Sequence, residues 1–229
     1  MQQETEKQSS KLLMTLFLAF FLIGLPLGSW YYLQTGMEDR LETMDLLDNN
    51  YGELPAFVAV NQYGDTITEA DFRGNMVMVD FFFTRCNLTC PPMMRNMVDV
   101  NDQFSDRDDI KIISFTVDPE NDTTNLLRQF SQDLGLRNNN RKWYLANLGS
   151  TTETVRIAQE HFKLPTDEAD GDNTILHSRY IALVDTAGVI RNYYDGTTDE
   201  GVSRLVKHTA FLMPIEGKSK VVYDPETEK

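Results

Sequence analysis

Cysteine occurs only twice in this 229-residue chain and histidine only three times, and basic side chains are outnumbered by acidic ones, 21 against 35. Each scarcity excludes something. Two cysteines cannot build the disulfide framework on which small secreted domains rely, and a chain of this length does not need one. A formal net charge of −14, with acidic side chains spread along the chain and no basic patch, excludes nucleic acid as a ligand, because phosphates are held by clustered Lys and Arg. The acidity instead keeps a domain soluble, with steering toward a basic partner as a secondary use. No internal repeat or low-complexity tract competes with a single ordinary domain.

One long stretch does lack charge. Residues 12–33 are dominated by Leu, Phe, Ile and Met, and as a helix they would reach about 33 Å, enough to span a bilayer. The run is longer than the apolar part of a cleavable signal and ends in Trp30, Tyr31 and Tyr32, which suit a membrane interface, so an uncleaved signal anchor is expected. Gly24 and Pro26 do not argue against it, since both are tolerated in membrane helices. Lys7 and Lys11 precede the run, whereas Glu38 and Asp39 follow it with only Arg40 for balance. That asymmetry predicts a cytoplasmic segment over 1–11 and a domain on the export side, periplasmic or equivalent. Residues 34–52 read as a tether or short helix.

From residue 53 the pattern becomes that of a folded domain ending near 213, with a polar tail over 214–229. Residues 56–60 and 66–68 form a predicted hairpin around Gly64 and Asp65. Residues 76–83 are a nearly continuous apolar run, as a central strand covered on both faces requires. Pro91 and Pro92 fit a first helical turn, and Met94, Met97, Val98 and Phe104 continue with helical spacing. A strand over 110–117, a helix capped by Thr123 or Thr124 and running to about 134, a strand over 142–146 and a helix over 151–162 follow. After an acidic loop at 165–172 come strands at 179–184 and 189–193 joined by a turn at 185–188, then a helix over 198–212. This order predicts an α/β, thioredoxin-like mixed sheet with flanking helices and an added N-terminal hairpin.

The two cysteines fall where a strand runs into a helix, in Phe81-Phe82-Phe83-Thr84-Arg85-Cys86-Asn87-Leu88-Thr89-Cys90-Pro91-Pro92. Four residues apart, Cys86 and Cys90 suit either a short-loop disulfide or chelation of one soft metal ion, and a helix start favours thiolate over thiol. A purely structural bridge is the weaker reading, since so short a loop gives little entropic stabilisation. Of the histidines, His161 and His208 lie in helical stretches and read as ordinary surface or half-buried residues. His177 stands just before the strand that, in a thioredoxin-like sheet, runs beside the one leading to the cysteines. Two thiolates and one imidazole would suit Cu(I), and with a further ligand Cu(II) or Zn(II). Met93, Met94 and Met97 follow the cysteines closely, but their helical spacing reads as core packing and not as a metal relay.

Three segments together carry a resemblance: Phe83 to Pro91 around the cysteines, Val117-Asp118-Pro119-Glu120-Asn121-Asp122-Thr123, and His177-Ser178-Arg179-Tyr180-Ile181-Ala182-Leu183-Val184-Asp185. Over residues 53–213 the chain resembles the Sco/SenC family of membrane-anchored, thioredoxin-like copper proteins that assist cytochrome c oxidase assembly. The resemblance implies that Cys86 and Cys90 are paired copper thiolates and His177 the imidazole ligand. It also implies that Asp118 organises loop hydrogen bonds without binding metal. Many relatives carry Pro after the first cysteine; Asn87 here leaves the intervening loop less restrained. The implied cargo is copper, Cu(I) and also Cu(II), and the implied recipient is the copper-accepting subunit of cytochrome c oxidase, with other copper chaperones or thiol reductants as further partners.

Two other functions use the same residues. A thiol–disulfide oxidoreductase would employ Cys86 and Cys90 as a redox dithiol acting on partner cysteines, although the three-residue spacing and the lack of a Pro just before Arg179 depart from thioredoxin usage. A membrane-tethered binding module would use the cysteines only to brace a loop. A turnover enzyme is the least expected, and the surroundings of a peroxidatic cysteine are missing.

Overall fold

The computed structural model describes residues 14, 17–18, 20–86, 90–136, 142–164 and 178–213, the side chains of 35–44 excepted. The chain divides into two compact units, Met1–Asp45 and Leu46–Lys229.

In the first unit a π-helical turn, Phe20–Gly24, precedes helix α1, Leu25–Asp48. The helix does not stop where the apolar run stops: Glu38, Arg40, Leu41 and Glu42 are good helix formers, so of the two readings of 34–52, tether or short helix, the chain is helical down to Asp48. The apolar side chains described between Met14 and Leu33 are all exposed, Leu22 by 71 % and Tyr32 by 79 %. The expected membrane span lies partly outside the described residues. Among those described, no helix is long and apolar enough to cross a bilayer, because α1 begins only at Leu25 and its second half carries Glu38, Asp39, Arg40, Glu42 and Asp45.

The second unit is built on one seven-stranded sheet. Its strands are β1 (Val58–Asn61), β2 (Thr66–Thr68), β3 (Met76–Phe82), β4 (Ile110–Thr116), β5 (Trp143–Asn147), β6 (Tyr180–Val184) and β7 (Ile190–Asp195), in the spatial order β2-β1-β5-β4-β3-β6-β7. β3, β4 and β5 are parallel and the other pairings antiparallel. Parallel neighbours need crossovers, which α2 (Cys90–Gln103) and α3 (Thr124–Asp133) supply. This is the mixed, thioredoxin-like sheet that the element order predicts.

β3 is buried at all seven positions, so both its faces are covered. Phe82 stacks on Phe130 of α3 at 5.4 Å between ring centroids, while the adjacent Phe81 meets Phe162 edge-on at 5.6 Å. Alternation along the strand therefore sets α3 on one face and the 151–162 segment on the other. Met93, Met94 and Met97 of α2 are fully buried and are core residues, as their spacing predicts.

Local chemistry fixes the ends of these elements. The β1–β2 turn closes because Asn61 Oδ1 accepts the N–H groups of Tyr63 and Asp65, and Gly64 takes the left-handed φ of +89° that the turn requires. Thr123 caps α3 by accepting the N–H of Leu126. The helix predicted over 151–162 differs in form: α4 covers Thr151–Arg156 and opens into a π-helical turn, Ile157–His161. The wider turn, closed by Phe162 N–H to Ile157 O at 3.1 Å, buries both Phe162 and Ile157 against the sheet. Helix α5 (Asp199–Leu212) closes the fold, and its His208, fully buried and bonded to Tyr194 Oη at 2.8 Å, is a core residue, buried more deeply than the surface or half-buried position expected of it.

Candidate functional site

β3 delivers the chain to the carboxyl end of the sheet, where Cys86 follows the strand and Cys90 opens α2. Both thiols are buried and not joined in a disulfide. Cys90 N–H donates to Cys86 Sγ at 3.3 Å. A helix start ordinarily offers several unpaired N–H groups. Here Pro91 and Pro92 have none, so in the first three positions of α2 the Cys90 N–H is the sole donor, and it is spent on the Cys86 sulfur. That bond and the positive end of the helix favour negative charge on Cys86.

Cys90 departs from the expectation that both cysteines are activated. Its pKa is raised, first by its hydrogen bond with the Cys86 side chain, then by burial, with the nearby charges of Cys86 and Asp80 adding to the effect. Burial and the neighbouring Cys86 sulfur thus favour the protonated form of Cys90.

Asp80 lies on β3, six residues before Cys86. It is fully buried, and its Oδ2 accepts the Ser114 hydroxyl at 2.7 Å, while the Trp143 indole N–H donates to the same Ser114 oxygen at 2.9 Å. Its Oδ1 has no hydrogen-bond partner among the described residues. Burial pushes the Asp80 pKa up to about 7, against the lowering effect of the Ser114 bond.

On the other side of the cysteine segment, the turn after β4 reaches across to β3. Arg85 donates to Asp118 Oδ2 at 2.5 Å and Asn121 to Asp118 Oδ1 at 2.7 Å. Burial alone would raise Asp118; the bonds from Asn121 and Arg85, with the guanidinium charge, outweigh it and hold the carboxyl below its usual range. Asp118 thus binds its own loop to the residue next to Cys86, in keeping with the organising role that the family resemblance implies. Deeper in, the buried Asp122 accepts three hydrogen bonds from Thr84 and Thr116.

His177 lies outside the described residues, as do Asn87 and the acidic loop at 165–172. Among the described residues no group of three or more Cys, His, Asp and Glu is arranged to hold a metal ion. His161 contacts Arg156 at 3.0 Å, and with His208 in the core neither is brought to the cysteines. Asp80 and Asp122 were not singled out in the sequence. For Asp80 a signal existed: a carboxylate in the middle of an apolar strand has to be buried with it. For Asp122 the signal was its place in the Val117 to Thr123 segment that carries the resemblance, but a polar residue before a capping threonine also looks like an ordinary helix start, and no role was read into it.

The SCO1/SenC family profile matches residues 48–214. A relative, the SCO1 protein homolog of Bacillus subtilis, is 32 % identical over 148 residues, which cover 64 % of this chain and 75 % of the relative. The solved structure of BsSco, described as a member of the Sco family of cytochrome c oxidase assembly proteins with a disulfide switch, aligns with a TM-score of 0.59 at 29 % identity, covering 70 % of this chain and 95 % of that one. The copper-bound structure of Bradyrhizobium japonicum ScoI shares the fold, with a TM-score of 0.56 at 19 % identity over 69 % of this chain and 98 % of that one. The matched region contains the whole sheet and both cysteines, and the chain belongs to the SCO1/SenC family.

Proposed function

We propose that this protein is a copper metallochaperone whose cargo is held by Cys86, Cys90 and His177 and handed to the copper site of cytochrome c oxidase during its assembly. The observation that carries the reading is the pair of buried thiols held together at a helix start, Cys90 N–H on Cys86 Sγ at 3.3 Å, in a chain of the SCO1/SenC family. Two thiolates favour Cu(I) over harder cations, and an imidazole completes a three-coordinate site that a partner's ligands displace one at a time. Binding requires that Cys90 give up its proton.

Backbone register supports His177 as the third ligand. β6 pairs antiparallel with β3, Val79 opposite Ala182, so the chain enters β6 at the carboxyl end of β3, the end that leads to Cys86. His177 precedes that strand by three residues.

The membrane anchor belongs to the same proposal. Residues 12–33 hold the chain in the bilayer with the N-terminus cytoplasmic and the domain on the export side, and the exposed apolar side chains between Met14 and Leu33 are the surface that lipid would cover. Release of the chain into the soluble fraction by alkaline carbonate overturns this part.

The test of cargo binding is an anaerobic titration of the reduced full chain with Cu(I) against a competing chelator. One equivalent bound tightly, weakened by His177→Ala and abolished by Cys86→Ser with Cys90→Ser, is the expected result. A second reading, thiol–disulfide exchange on partner cysteines, is favoured by two free thiols held side by side at a helix start. It prevails if copper does not bind and a partner disulfide is reduced rapidly.

A further inference from the structure

Asp122 is a fully buried carboxylate that touches neither cysteine, yet it joins three parts of the fold. Its Oδ1 accepts the Thr84 hydroxyl at 2.5 Å and its Oδ2 accepts the Thr84 N–H at 3.1 Å. Oδ2 also accepts the hydroxyl of Thr116, the last residue of β4. Its own carbonyl accepts the Asn147 amide at 2.9 Å, at the end of β5, and its N–H donates to Asp118 O at 2.9 Å. Thr84 lies two residues before Cys86, where the chain has left β3 and α2 has not begun. In this stretch the Thr84 N–H is held by a side chain and not by sheet or helix.

We infer that Asp122 is a positioning residue for the dithiol: by gripping Thr84 through both its backbone and its hydroxyl, it fixes the Cys86 arm of the site, and so keeps the two sulfurs within reach of one ligand. The inference rests on the copper reading for its cargo, but not for its geometry. Chelation of one ion and closure of a disulfide both need the sulfurs held together, so both depend on the effective concentration of one thiol at the other. Loosening the arm lowers both. Groups that orient the ligands of a metal site typically change affinity by about 10- to 100-fold when removed.

The geometry ranks the variants. Asp122→Ala leaves the part-buried Thr84 N–H and two hydroxyls without their acceptor. Thr84→Val keeps the shape and the N–H bond but removes the hydroxyl bond. Asp122→Asn preserves one oxygen for the Thr84 N–H and the Thr116 hydroxyl, and turns its amide N–H toward the Thr84 oxygen, which can accept. Thr209→Val is the control: it removes a hydroxyl bond at least as buried, to Leu205 O at 2.7 Å, on α5.

Two equilibria are measured on each full-length variant. One is Cu(I) affinity by competition. The other is exchange with glutathione, in which the protein dithiol gives two electrons and two protons to oxidised glutathione, forming the Cys86–Cys90 disulfide and releasing two glutathione thiols. Asp122→Ala is expected to lower both constants by about tenfold or more, Thr84→Val by a smaller factor, and Asp122→Asn is expected to recover most of the loss. Thr209→Val is expected to lower thermal stability while leaving both constants unchanged. If Asp122→Ala does not fold, Thr84→Val carries the test. Wild-type constants in folded Asp122→Ala or in Thr84→Val, or an equal loss in Thr209→Val, overturn the inference. If no chain binds copper but the glutathione constants fall in this order, the copper reading fails and the positioning role stands.

Discussion

At the scale of single residues, the carboxylate buried in β3 has the clearest consequence for the whole domain. Asp80 has an ordinary pKa near 3.8 and in the fold is raised to about 7. The native state therefore binds more protons than the unfolded chain between those values. Its contribution to stability is fully present below about pH 4 and is lost as pH rises through 7, at most about 1.4 kcal/mol per pH unit. Asp80→Asn mimics the protonated form. Urea denaturation at pH 5 and pH 8 is expected to show the wild type losing up to a few kcal/mol between the two while the variant loses much less. Parallel pH dependences in the two proteins contradict this. The same residue shows where sequence reading stops. The apolar run over 76–83 identified the strand, but the Ser114–Trp143 bonding does not follow from a linear pattern, since those partners lie 34 and 63 positions from Asp80 in the chain.

At the scale of elements, the hairpin, the crossover helices and the closing helix were legible because period, capping threonines and turn glycines agree with one another. Two boundaries were not. The helix through residue 48 continues because acidic helix formers replace apolar ones without a break, and polarity alone left a tether and a short helix equally open. The π-helical turn at Ile157–His161 answers to the fit of Phe162 against Phe81, which only the packed sheet defines. Packing also sets the approach of α5 to β7. A Cβ at Gly201 would lie 2.2 Å from Asp195 O, a backbone atom that cannot swing aside. Gly201→Ala is thus expected to cost about 3 kcal/mol or more, in the upper part of the overpacking range, measured by urea denaturation. A midpoint equal to wild type contradicts the close approach.

At the scale of the whole molecule, the folding and the chemistry meet at the carboxyl end of β3. The sheet brings β3 and β6 side by side, α2 begins at the second cysteine, and the turn after β4 braces the segment between them. The cysteines could be named from the sequence because they are the only pair in it, and Asp118 because its segment matched the family's. The bracing by Asp122 could not, because it depends on a turn 38 positions away from Thr84. The proposed function requires Cys86, Cys90 and His177 to bind copper together, and X-ray absorption at the copper edge of the Cu(I)-loaded full chain reads those ligands themselves. Two sulfurs and one imidazole nitrogen around the ion are expected in the wild type, with the imidazole signal lost in His177→Ala. A spectrum with two sulfurs and no imidazole in the wild type, or one unchanged by His177→Ala, would contradict it.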